Sequence, residues 1–159
     1  IVIRYPRGGE GKNKFEKHEK IELGKAELIE EGKNLTILAI GKMVDRGYEL
    51  LKKLKEIGIE AELINVRFLK PLDSDLILKS IRKTKKIITI EDNILEGGLA
   101  SSIKELLIDN KIENIKIKNF GYPNVFVKHG TVDEIEKLYG LDIDNILKET
   151  KELINEEEK

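Results

Sequence analysis

Apolar residues in this chain fall into short blocks whose spacing switches repeatedly between the two-residue period of a strand and the longer period of a helix. Ile1-Val2-Ile3 opens the sequence as a strand that ends at the turn Pro6-Arg7-Gly8-Gly9, and residues 10–20 have no period and read as a linker. Residues 25–28 alternate as a half-exposed strand does, before a turn at Gly32-Lys33-Asn34. Residues 35–40 are a continuous apolar run closed by Gly41, after which Met43, Gly47, Leu50, Leu51, Leu54 and Ile57 recur at helical spacing as far as Gly58.

The alternation continues. Residues 61–66 form the next strand, Asp73 is placed to cap a helix with Leu76, Ile77, Ser80 and Ile81 inward, and residues 87–90 form a strand ending at Glu91-Asp92. Gly97-Gly98 opens a third helix carrying Leu99, Ile103, Leu106 and Leu107. Residues 115–118 alternate strictly, as a strand with a wet face or at a sheet edge does. Thr131-Val132-Asp133-Glu134 has the form of a capping box, and a last helix from about Asp142 carries Ile143, Ile146, Leu147, Thr150, Leu153 and Ile154. Strands alternating with helices imply right-handed crossovers. The expected fold class is α/β: a three-layer αβα domain of about five strands, mostly parallel, with residues 25–28 as one antiparallel edge strand.

Composition narrows the function. With 29 Lys+Arg against 30 Asp+Glu there is no basic excess for nucleic acid, and no apolar run approaches a membrane span. The absence of Cys removes thiolate chemistry and cysteine metal sites, and the two histidines are too few for a His-rich one. A cytoplasmic setting is the default. The single Met is Met43, so a chain opening inside a strand is expected to be a piece of a longer protein.

In open α/β sheets, ligands bind beyond the carboxyl ends of the strands, which directs attention to Gly41, residues 65–68, residues 91–93 and residues 121–123. Glu91 and Asp92 offer carboxylates for acid–base work or a hard cation, but neighbours on an extended segment point apart, so a capping or inter-element hydrogen bond is favoured. Gly97-Gly98 lacks the remaining glycines of a phosphate loop, which leaves close backbone packing as the favoured role. His129 has no patterned catalytic partner and is read as structural; His18 is read as a solvated linker residue. Arg4 and Arg7 differ. Arg7 sits in a Pro-Arg-Gly-Gly turn where a guanidinium can present its planar fork to a phosphate, and on physics alone that role and an exposed ion pair stand level.

Taken together, Ile3-Arg4-Tyr5-Pro6-Arg7-Gly8, Leu38-Ala39-Ile40-Gly41-Lys42-Met43-Val44, Asn65-Val66-Arg67-Phe68-Leu69-Lys70-Pro71-Leu72-Asp73, Thr89-Ile90-Glu91-Asp92 with Gly97-Gly98, and Gly121-Tyr122-Pro123 with His129-Gly130 resemble, in this order, the C-terminal quarter of the 1-deoxy-D-xylulose-5-phosphate synthases. The resemblance implies a thiamine-diphosphate and magnesium enzyme of the transketolase superfamily. Its substrates would be pyruvate and glyceraldehyde 3-phosphate, joined with loss of carbon dioxide to supply isoprenoid, thiamine and pyridoxal synthesis. It also implies an organisation: residues 1–9 as the end of a pyrimidine-binding domain, 10–20 as a linker, and 21–159 as a transketolase C-terminal-like domain.

Arg7 matches the family's arginine that contacts the acceptor phosphate, with Arg4 the weaker candidate. The family's Gly-Asp-Gly and Asn-pair motif is absent from these residues. The chain alone is therefore expected to bind no thiamine diphosphate or metal, to hold no catalytic residue, and to act as scaffold and dimer support beside the rest of the polypeptide. The same domain occurs in transketolases and in 2-oxoacid dehydrogenase beta subunits, and a stand-alone phosphate- or partner-binding module is the non-enzymatic alternative.

Overall fold

The computed structural model of the chain describes residues 20–155. Its five strands are β1 (Glu27–Glu30), β2 (Leu35–Ala39), β3 (Ala61–Asn65), β4 (Lys86–Ile94) and β5 (Lys116–Tyr122). They form one sheet in the order β1-β3-β2-β4-β5, with β1 antiparallel to β3 and the remaining pairs parallel. The α/β architecture and the antiparallel edge strand expected from the spacing are both present. The helices are α1 (Met43–Glu56), α2 (Ser74–Thr84), α3 (Leu99–Asp109), α4 (Val132–Leu138) and α5 (Ile143–Asn155).

β2 is the centre because all five of its residues are buried, which only a strand covered on both faces allows. One face of the sheet packs Leu35, Ile37, Leu63 and Ile88 against Leu50 and Leu54 of α1 and Ile146 and Leu153 of α5. The other packs Leu38, Ile64 and Ile87 against Ile77 and Ile81 of α2 and Ile103 and Leu107 of α3. On this second face Thr36 is enclosed, and its hydroxyl meets those of Ser80 at 2.6 Å and Thr84 at 2.7 Å, so a polar group in the central strand remains satisfied. Ile57, expected on the inner face of α1, lies beyond its last turn and is exposed.

Local signals act where they stand in sequence. The Asp73 carboxylate accepts from the Leu76 amide at the start of α2, and Thr131 and Glu134 form the reciprocal capping box of α4. Tertiary contacts move the strand boundaries. β1 starts two residues later than its alternation suggests because the Ala26 amide donates to Asp73 Oδ2 at 3.1 Å instead of entering the ladder. β4 and β5 run four residues past the expected ends, since a register shift after Ile90 lets Ile94 pair with Tyr122. Among the described residues no helix is long and apolar enough to cross a membrane.

Candidate functional site

The chain runs from β2 through α1 to β3 on one side, then through α2, on the opposite face, to β4 on the other. That reversal opens a crevice at the carboxyl ends of β2 and β4, the position where sheets of this kind take ligands. Here the protein fills it with its own charges. Lys42, just before α1, reaches Asp92 Oδ2 at 3.1 Å and Glu136 Oε1 at 3.4 Å. Arg46, one turn on, donates to Glu136 Oε2 at 2.6 Å and to Glu49 Oε2 at 3.0 Å.

Glu136 is only 5% exposed, and its two cations offset the cost of burying a carboxylate. Tyr122, at the end of β5, hydrogen-bonds to Asp92 and meets the Tyr139 ring edge-on with centroids 5.5 Å apart. Burial, followed by the charges of Asp92 and Glu136, pushes the Tyr122 phenol up to about 12. The phenol stays protonated at neutral pH and acts as a donor.

Glu91 takes the inter-element role that its neighbours in sequence suggest. Its carboxylate turns into the sheet and accepts from the Leu99 amide at 2.8 Å and the Ala100 amide at 2.9 Å, the first free donors of α3. Burial is the largest influence on it and raises its pKa, against the lowering effect of the two amides. A Cβ on Gly98 would collide with Glu91 Oε2, so this glycine is required for close approach. The start of α3 therefore already holds an anion, supplied from within the chain, and is closed to an external phosphate. Asp92 points away from Glu91 into the Lys42 cluster, as adjacent extended residues do. His129 is exposed on the segment before α4.

A second group lies where β3 ends. Arg67 has φ 56°, a region that non-glycine side chains rarely adopt. Its amide donates to Asn65 Oδ1 at 3.2 Å and its guanidinium contacts Glu27 Oε2 at 2.8 Å, while Asn65 Nδ2 also donates to that Glu27 oxygen at 3.3 Å. Helical or strand spacing does not single out Arg67, Arg46 or Glu136. Only the place of Arg67 directly after a strand points to it. Arg4, Arg7 and His18 lie outside the described residues, as do the domain division at residue 9 and nearly all of the 10–20 linker. Among the described residues no three His, Cys, Asp or Glu side chains are grouped to hold a metal ion.

A family profile described as "Transketolase, C-terminal domain" matches residues 24–146, which takes in all five strands and the charged cluster. The chain belongs to the transketolase C-terminal domain family. Two curated relatives named 1-deoxy-D-xylulose-5-phosphate synthase show the same kinship over nearly the whole sequence. The one from Caldanaerobacter subterraneus subsp. tengcongensis is 39% identical over 157 residues, covering 96% of this chain and 25% of the relative. The one from Syntrophus aciditrophicus is 40% identical over 155 residues, covering 97% and 24%.

This transketolase C-terminal domain thus spans about a quarter of the curated relatives it matches. A solved structure titled "Split gene transketolase, inactive beta4 tetramer" superposes with a TM-score of 0.80 at 29% identity, over 88% of this chain and 45% of that one. The family's fold and the five-stranded mixed sheet agree.

Proposed function

We propose that this domain is the C-terminal, non-catalytic part of a thiamine-diphosphate-dependent synthase that condenses pyruvate with glyceraldehyde 3-phosphate to 1-deoxy-D-xylulose 5-phosphate and carbon dioxide. What carries the reading is the near-complete alignment with the synthases named above, at a higher identity than to the transketolase of known structure. The geometry supports a scaffolding role, because the crevice where a ligand would enter is spanned by Lys42, Asp92 and Glu136, and the α3 amides are occupied by Glu91. The described residues do not fit thiamine diphosphate or magnesium: they hold no metal-ligand group and leave no free helix start at α3 for the diphosphate. That cofactor supplies the carbanion chemistry when bound elsewhere in such an enzyme.

Within this reading residues 1–9 end the pyrimidine-binding domain, 10–20 link it, and 21–159 form the supporting domain. Arg7 is the residue that would hold the acceptor phosphate and orient its carbonyl, with Arg4 second. Its partners would be the remainder of a longer cytoplasmic polypeptide and a second copy of it.

Two measurements test this together. Titration calorimetry of the 159-residue chain with thiamine diphosphate and magnesium should give no heat of binding. A polypeptide carrying the upstream region should form 1-deoxy-D-xylulose 5-phosphate and lose most of that activity on Arg7→Ala, chiefly through a raised KM for the aldehyde phosphate. Tight cofactor binding by the chain alone, or a longer polypeptide that uses ketose phosphates in place of pyruvate, overturns the proposal.

A further inference from the structure

α4 is held to the domain by charge, where α1, α2, α3 and α5 each bury at least two large apolar side chains. Among its seven residues only Glu136 is buried; Ile135 is half-buried, and Val132 and Leu138 are exposed. Residues 123–129, which lead into it from β5, are all exposed. Asn124 Nδ2 donates to Glu96 Oε2 at 2.7 Å, a bond between exposed groups that water can replace. On the far side Leu141 is fully buried in the core shared with Ile146, and Gly140 beside it has φ 70°, a backbone position able to pivot. The segment is thus anchored at Tyr122 and Leu141 and latched between them by Glu136.

That latch can be released at modest cost. The Lys42 and Arg46 side chains that meet Glu136 are 35% and 24% exposed, and each keeps a second carboxylate, Asp92 for Lys42 and Glu49 for Arg46. When Glu136 leaves, neither cation is stranded, and the freed carboxylate regains its hydration. Glu91 shows the contrast at the same end of the sheet: it belongs to β4 itself, and it cannot leave the α3 amides without breaking the ladder. We infer that residues 123–139 form a strap that opens as a unit while the five-stranded sheet stays folded, with Glu136 as its ionic latch. A helix of seven residues does not persist once detached, so release of Glu136 and melting of α4 are one event. Opening uncovers Lys42, Asp92 and Tyr122 near the carboxyl ends of β2, β4 and β5. The crevice therefore has a closed state, filled by the protein's own carboxylate, and an open one. This opening belongs to the domain's own residues and does not depend on the proposed reaction.

Amide hydrogen exchange of the 159-residue chain, read residue by residue by NMR, separates strap opening from global unfolding. The reporters are the Ile135 and Tyr139 amides, which donate to Thr131 and Ile135 carbonyls, and the Leu141 amide, which donates to the Glu136 carbonyl. They should be about 100-fold less protected than the Ile37 and Leu38 amides of β2, with little response to added urea because opening exposes little surface. Glu136→Gln should speed their exchange about 30-fold. Ile37→Val, a mild change in the core, should speed the β2 amides about 10-fold and leave the α4 reporters as they were. Reporters that share the protection and urea slope of β2, that follow β2 in the Ile37→Val chain, or that exchange in Glu136→Gln as in the wild type, overturn the inference.

Discussion

The Arg46 guanidinium donates to the Glu136 carboxylate at 2.6 Å, joining α1 to α4 across 90 positions of sequence. Few backbone contacts hold α4, so this pair and the neighbouring Lys42 do much of what an apolar stripe does for the other helices. Glu136→Gln keeps the shape and removes the charge. It should lower the unfolding free energy by about 2 kcal/mol, less than a fully buried pair would lose because Arg46 and Lys42 keep contact with water. Urea titration measures it, and a loss below about 0.5 kcal/mol would mean the pair contributes little.

Glu91 gives stability a distinctive pH dependence. Burial holds its folded pKa above the ordinary carboxylate value of 4.5, so between those two values the folded chain keeps a proton that the unfolded chain has released. The contribution of Glu91 is therefore fully present below about 4.5 and is lost as pH rises through the folded value. Glu149, held low by Lys118, acts in the opposite sense and loses its contribution as pH falls. Subtracting the stability profile of Glu91→Gln from that of the wild type isolates the first effect. The difference should decline with rising pH in that window, and a flat difference would contradict the assignment.

Tyr122 is one of four tyrosines and should be set apart by its titration. Its phenolate absorbance is expected near pH 12, beyond the ordinary range. Tyr122→Phe should remove that late component, whereas a late component that persists after the substitution would place the perturbed phenol elsewhere.

Two glycines should respond differently to alanine. At Gly41, φ is +62° and a Cβ would meet nothing within 4 Å, so the cost is the left-handed backbone alone, roughly 1–2 kcal/mol. At Gly98 the Cβ would strike the buried Glu91 carboxylate and come 2.6 Å from the Ile94 carbonyl oxygen. Gly98→Ala must displace the group that caps α3, and about 3 kcal/mol is expected. Denaturant midpoints compare the two. Equal losses would mean that Glu91 can move aside without consequence.

What could be read from the residues alone follows the range of the force involved. Asp73 and Thr131 cap helices through bonds three residues away, and β2 is buried because its own run is apolar, so each was legible in place. The Glu91 role followed from the alternation of an extended chain. The Lys42–Asp92–Glu136 cluster was not legible, because its members come from three distant segments and each resembles a solvated surface charge. The added length of β4 and β5 was hidden for a related reason: it depends on Ile94 finding Tyr122 after a change of register, which neither strand records by itself. The unusual backbone of Arg67 is likewise a product of Asn65 and Glu27 closing around it.

The sheet order also constrains how the chain can assemble. β2 is hydrogen-bonded to β3 on one side and β4 on the other, whereas β1, though next to β2 in sequence, lies beyond β3. β1 cannot find its place until residues some thirty positions later have been laid down. It is the last strand on its side to gain a template, and its removal would leave the four parallel strands in register, while damage to β2 would divide the sheet into two halves with no shared ladder.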